Sequence, residues 1–268
     1  MRVAVTGKGG SGKSTIAGAI ARQLAGQEQQ VVAIDADPNP NLGISLGIDR
    51  EEVESMVPIL NALLDSGHTH KDPTPVAEDL LARYGVDAPQ GVRLVATGKI
   101  ERPSDACLCC GSHNTTREFF GQLSDEGRVV LADLEAGLSD LVWAHPGPDD
   151  VVLVVTDGSA KSLEVAERGC RLADQMGVRR IVGVANRALT QADAPRLADR
   201  LGLSEVFGVP EDPQIEKADQ LGVAPSDHDP QSPAMVAIAS LAAALVPVAE
   251  AGKRAAVASD GLVPGASS

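Results

Sequence analysis

The chain has 268 residues, 43% of them hydrophobic, and a formal net charge of −14. That length and apolar content suffice for one large domain with a substantial core, and no apolar run approaches the roughly 20 residues needed to span a bilayer. The acidic balance argues against a broad face for nucleic acid, and aromatic residues at 2% offer little for base stacking. The first strand-like segment begins at Arg2 and leads straight into a functional motif, so no cleavable leader and a cytoplasmic location are expected.

Residues 2–6 read as a short buried strand built on Val3, Ala4 and Val5. A glycine-rich turn follows, then a helix over 15–24 with Ile16, Ile20 and Leu24 at helical spacing. Residues 31–34 form a second apolar strand that ends in Asp35-Ala36-Asp37-Pro38, and 39–47 are rich in turn formers. A helical insert is expected over about 49–88: one helix over 51–64 capped by Asp49, a polar loop over 66–75, and a second helix over 76–84. A strand over 92–96 precedes a cysteine-rich segment and a helix from about 115 to 123.

The strand over 129–134 closes on Asp133. Strands over 151–155, 180–185 and 206–209 alternate with helices over 160–176 and 193–201, and two more helices are expected over 213–221 and 233–246. The alternation predicts an α/β fold, a mostly parallel sheet with helices on both faces, in one domain over 1–250 with a flexible tail over 251–268. Ligands in such sheets sit at the carboxyl ends of the strands, so the segments after Thr6, Ile34, Val130, Ala185 and Val209 should surround one site.

Residues 7–14, Gly-Lys-Gly-Gly-Ser-Gly-Lys-Ser, match the phosphate-loop pattern G-x-x-x-x-G-K-[ST] between a strand and an amphipathic helix. Gly9, Gly10, Ser11 and Gly12 can bring backbone N–H groups close to phosphate oxygens. The helix that follows aims its N-terminal dipole at the same anion. Lys13 supplies charge to the β- and γ-phosphates, Ser14 a hydroxyl for magnesium, and Thr15 is placed to reach the α-phosphate. ATP with Mg2+ is the expected ligand. Asp35 and Asp37 form a carboxylate pair at a strand end, able to hold magnesium-bound water or to orient an attacking water. Asp133 follows Val129-Val130-Leu131-Ala132 in a Walker-B pattern, an acid held near the metal by a buried strand.

With Lys8 included, Lys-Gly-Gly-x-Gly-Lys-Ser-Thr resembles the deviant Walker A loop of the MinD/ParA/nitrogenase-iron-protein group of ATPases. The resemblance covers residues 2 to about 246 and implies a P-loop NTPase fold and hydrolysis of ATP to ADP and phosphate. It implies an ATP-driven homodimer in which Lys8 reaches the partner's nucleotide, comparable to an arginine finger. It gives Asp37 the task of positioning water, beside Lys8 and Lys13 as catalytic residues, and Asp35 that of an outer-shell magnesium ligand with Ser14 and Asp133. Residues 133–137 resemble its switch II, Asn186 and Arg187 its adenine contact, and Pro210 and Glu211 the loop that completes the base pocket.

Cys107, Cys109 and Cys110 crowd into one segment, whereas Cys170 lies in a helical pattern and reads as core. Thiolates suit zinc, nickel, copper(I) or iron–sulfur clusters. A Cys-x-Cys pair supplies two ligands, and a twofold axis could complete four with Cys107 and Cys109 of each subunit. Within the group, such a pair ahead of Walker B resembles the CooC-type maturation factors, which support nickel insertion into carbon monoxide dehydrogenase. The resemblance implies Ni2+ or Zn2+ at the cysteines and a client metalloenzyme. A proline expected after the second cysteine is replaced by Cys110-Gly111, so Cys110 and His113 stay open as ligands. No cysteine lies between Asp133 and Cys170, which argues against the cluster arrangement of the nitrogenase iron protein. The competing reading is a MinD/ParA-type positioning or partition ATPase without transition metal. Residues 255–261 lack the basic–apolar stripe of a membrane-binding helix, and the acidic balance disfavours a DNA-binding face.

Overall fold

A computed structural model describes residues 1–69, 72, 75–100, 108–188 and 193–246, with the main chain alone for 108–114. The strands are β1 (Arg2–Gly7), β2 (Gln30–Asp35), β3 (Val86–Ala88), β4 (Val92–Ala96), β5 (Arg128–Asp133), β6 (Val151–Thr156), β7 (Arg180–Ala188) and β8 (Val206–Pro210). They form one sheet in the order β3-β4-β2-β5-β1-β6-β7-β8. Every pairing is parallel except that of β3 with β4. Continuous apolar runs such as Val151-Val152-Leu153-Val154-Val155 fit strands covered on both faces.

The pleat sends alternate residues into two cores. Val3, Val5, Val31, Ala33, Val129 and Leu131 pack on one face with Ile16, Ile20 and Leu24 of α1 (Lys13–Gly26) and with α12 (Pro233–Leu245). Ala4, Val32, Ile34, Val130 and Ala132 pack on the other. There they meet Phe119 and Phe120 of α6 (Leu108–Gln122), Leu141 of α7 (Ser139–Ala144) and Ala166, Cys170 and Ala173 of α8 (Ala160–Gln175). Cys170 is therefore a buried core residue, and burial raises its thiol to about 11.

The helical insert departs from expectation in two ways, and the segments on either side of it in one way each. The single helix over 51–64 is two, α3 (Arg50–Ser55) and α4 (Ile59–Asp65), because Pro58 cannot continue a helix. Asp49 caps α3 by accepting from the Glu51 N–H at 2.8 Å. After α5 (Ala77–Tyr84), the chain adds the antiparallel edge strand β3. The turn-rich stretch 39–47 holds a short helix, α2 (Leu42–Leu46), and α6 begins at Leu108 instead of near 115. The other helices are α9 (Asp193–Leu201), α10 (Pro213–Leu221) and α11 (Pro225–His228).

Arg22 of α1 is buried and joins three elements. Its guanidinium donates to the Leu46 carbonyl at 2.7 Å, to Gln90 Oε1 at 2.8 Å and to Asp227 of α11 at 2.6 Å. No helix among the described residues is long and apolar enough to cross a membrane. The tail over 251–268 lies outside the described residues.

Candidate nucleotide site

The carboxyl ends of β1, β2 and β5 lie side by side, and the register sets Val5 and Asp35 each against Asp133. The phosphate loop, the Asp35–Asp37 segment and the Walker-B aspartate therefore converge as the sequence predicts. Gly7, Gly10 and Gly12 all have positive φ, at 153°, 80° and 92°. Gly12 is the residue from which α1 starts, and Ile16 N–H closes the first helical turn on its carbonyl at 3.0 Å. Beyond Cα at Gly10 there is open space, so the loop presents backbone without side-chain obstruction.

The loop is also fixed from behind. Gly137 N–H donates to the Gly7 carbonyl at 3.0 Å, and the Thr6 hydroxyl donates to the Gly137 carbonyl at 3.1 Å. The last residue of the resembled switch II is thus hydrogen-bonded to the start of the phosphate loop. Asp140, in the first turn of α7, accepts from the Glu135 N–H at 2.9 Å and shapes the same turn. The two bonds of Gly137 join segments far apart in the chain, for which the sequence carries no local signal.

Asp35 and Asp133 are both buried. Asp35 Oδ2 accepts from Leu42 N–H at 2.8 Å and Oδ1 from Asp37 N–H at 3.2 Å. Burial, with Asp133 and Asp37 adding repulsion, raises its carboxyl far above the usual range despite those bonds. Burial raises Asp133 as well, opposed by the Ser14 hydroxyl and the Lys13 charge. Two carboxylates this deeply placed favour a proton or a cation between them and their surroundings.

Two buried atoms test the fit of Mg-ATP: Ser11 Oγ in the loop and Asp133 Oδ1 have no hydrogen-bond partner among the described residues. A buried polar atom without a partner is costly, and ligand phosphate or a metal shell supplies what is missing. Ser14 and Asp133 would hold magnesium, with Asp35 behind them. Bound there, the ion would neutralise phosphate charge. Among the described residues no three His, Cys, Asp or Glu side chains gather into a metal site. Magnesium is usually bound by one or two carboxylates, phosphates and water, and Asp133 and Ser14 offer a carboxylate and a hydroxyl.

Asp37 is half-buried, and its Oδ1 accepts from Asn39 N–H at 2.8 Å. Lys8 is also half-buried, with Nζ 3.1 Å from the Gly9 carbonyl. Asp157, at the end of β6, is held below its ordinary range: burial raises it, but Ser159, Ser162 and the Lys8 charge outweigh that.

Asn186 Nδ2 donates to the Ser11 carbonyl at 2.8 Å, which brings the expected adenine contact onto the phosphate loop itself. Arg187 is exposed, with φ at 57°, at a register shift between Asn186 and Ala188. Bulges of this kind re-aim side chains near sites. Pro210 pairs with Ala188, and Glu211 N–H donates to the Ala188 carbonyl at 3.3 Å, so both parts of the expected base pocket are neighbours. Asp157, Asn186, Arg187 and Leu197 also line a cleft of about 360 Å³ between β7 and α9. Cys107 lies outside the described residues; Cys109 and Cys110 stand in the first turn of α6, where the main chain alone is described.

A parallel sheet in this order, with a phosphate loop leaving β1 and an acid ending β5, defines a P-loop nucleotide hydrolase. Residues 3–220 match the CobQ/CobB/MinD/ParA nucleotide binding domain, and the chain belongs to that family of ATPases. It is 31% identical over 241 residues to the carbon monoxide dehydrogenase accessory protein CooC of Rhodospirillum rubrum, covering 86% of this chain and 91% of that one. It is 28% identical to an uncharacterised ATP-binding protein of Methanocaldococcus jannaschii, covering 83% and 90%. The MinD cell division ATPase of Pyrococcus furiosus shares the fold at a TM-score of 0.70 and 21% identity, over 91% of this chain and 97% of that one. The MinD of Pyrococcus horikoshii, solved with Mg-ADP, does so at 0.70 and 19%, over 97% and 98%.

Proposed function

We propose that this ATPase is a maturation factor for a nickel enzyme of the carbon monoxide dehydrogenase type. The observation that carries the reading is the Cys-x-Cys pair, Cys107 and Cys109, in a chain 31% identical over most of its length to a carbon monoxide dehydrogenase accessory protein. Binding of ATP joins two copies, with Lys8 of each reaching toward the other's nucleotide. The paired cysteines then share one nickel or zinc ion as cargo across the twofold axis. Asp37 orients the attacking water, and hydrolysis separates the copies and changes the cysteine site.

Lys13 and the loop N–H groups bind and orient the phosphates in this scheme, and Asn186, Arg187, Pro210 and Glu211 select the base. Sedimentation with Mg-ATP tests the cycle. The wild-type protein should dimerise transiently, Asp37→Ala should remain a dimer, and Lys8→Ala should stay monomeric with ATP still bound. Undiminished hydrolysis in Asp37→Ala would remove that residue from its role.

A further inference from the structure

The segment that leads to the cysteines is hydrogen-bonded to the segment that carries the carboxylates. Thr97 N–H donates to the Asp35 carbonyl at 2.9 Å, and Ile100 N–H to the Pro38 carbonyl at 3.1 Å. The Thr97 hydroxyl reaches the same Asp35 carbonyl at 3.4 Å and accepts from the Thr116 hydroxyl at 3.1 Å. Thr97 is fully buried and Thr116 is 1% exposed. Thr116 belongs to α6, two helical turns after Cys109. On the other side of Asp35, Ala36 N–H donates to the Asp133 carbonyl at 3.0 Å. A continuous line of bonds therefore runs from the Walker-B strand end through Asp35 and Thr97 to α6.

The placement is specific. Phe119 and Phe120 already bury α6 against the sheet, so the apolar contact alone would hold the helix down. A buried hydroxyl pair adds no net burial, but it fixes where along the sheet edge the helix sits, because sliding would strand the buried Thr116 hydroxyl. A movement of residues 35–38 must then either carry Thr97 and α6 with it or break the pair.

We infer that Thr97 and Thr116 are positioning residues that pass the nucleotide-dependent state of residues 35–38 to α6. The inference rests on the proposed link between nucleotide and cysteines and names the residues that make it. Thr116→Val keeps the side-chain volume, and Thr97 retains its own bond to the Asp35 carbonyl, so no donor is orphaned.

Hydrogen exchange of the α6 amides is to be measured on metal-free full-length protein, with and without magnesium and a non-hydrolysable ATP analogue. Nucleotide should slow α6 exchange about fivefold or more in the wild type, the lower end of usual coupling between sites. Thr116→Val should show less than about twofold slowing, Thr116→Ser should restore it, and analogue affinity should stay within about twofold in both. If Thr116→Val folds poorly, Thr116→Ala carries the same expectation. Wild-type protein without nucleotide-dependent protection of α6, or hydroxyl-free variants that keep it, would overturn the inference. Because no transition metal is present, this outcome is independent of whether the cysteines bind one.

Discussion

Gly12 cannot take even a methyl group without displacing a neighbour. A Cβ there would lie 2.2 Å from Asn186 Nδ2, on a backbone at φ 92°. The left-handed conformation costs an L-residue about 1–2 kcal/mol. Asn186 must also swing away and give up its 2.8 Å bond to the Ser11 carbonyl, a loss of about 1 kcal/mol. Gly12→Ala should therefore destabilise the nucleotide-free protein by about 2–3 kcal/mol, a large part of a typical domain's 5–15 kcal/mol but short of unfolding it. Urea denaturation followed by circular dichroism reads this directly. Asn186→Ala alone should cost about 1 kcal/mol, and the double variant should fall short of additivity by about that amount, since one bond can be lost only once. Strict additivity, or a Gly12→Ala protein within about 0.5 kcal/mol of wild type, would refute the reasoning. Gly7→Ala should be worse, because its Cβ would lie 2.3 Å from the Val155 carbonyl, which is main chain and cannot rotate aside.

The pH dependence of stability should run opposite to that of an ordinary salt-bridged carboxylate. Asp35 and Asp133, displaced from 3.8 to about 8 and about 6, hold protons in the folded state that the unfolded chain has released. Their contribution therefore falls as pH rises between about 4 and about 8. Denaturation midpoints of the nucleotide-free protein at pH 6 and 8 should show a loss that is smaller in Asp133→Asn. If the wild type instead gains stability over that interval, and gains more than Asp133→Asn does, the assignment is contradicted. Mg-ADP should flatten the slope. Arg22→Met should cost about 2–4 kcal/mol, because it strands the Leu46 carbonyl and Gln90, whereas Asp227→Asn, with a half-exposed carboxylate, should cost at most about 1 kcal/mol. Equal losses in the two, read by urea titration, would show that the ion pair and not the carbonyl bond matters.

The parts of this fold that could be read from sequence are those whose signal is carried by consecutive residues. The strands built on Val3-Ala4-Val5 and Val151–Val155 are continuous apolar runs, and α9 and α10 begin and end where their periodicity does. Pro58 carried the break between α3 and α4, against an apolar spacing that runs through it. β3 is three residues long with an exposed Asp87, and it exists because β4 offers an edge. α2 is hidden by Gly43 and Ser45 within it and by Asn39 and Asn41 just ahead of it; its first N–H is held by Asp35, seven residues earlier. The start of α6 at Leu108 runs against Gly111, Ser112 and Asn114, all poor helix formers. It gains its place from Phe119 and Phe120 in the core.

The site divides in the same way. The phosphate loop, Asp35 and Asp133 are legible because each ends a strand within a short motif. The bonds that assemble them, Gly137 to Gly7, Thr6 to Gly137 and Asn186 to Ser11, join residues far apart in the chain, and no local pattern announces them.

The most direct test of the proposed function is the metal content of the ATP-bound dimer. Protein loaded with Ni2+ or Zn2+, desalted with magnesium and a non-hydrolysable ATP analogue, and separated by size should hold about one ion per dimer. The ion should be absent from Cys107→Ser/Cys109→Ser, which should still dimerise. A wild-type dimer that forms with nucleotide and carries no metal would contradict the maturation role and leave a positioning ATPase in its place.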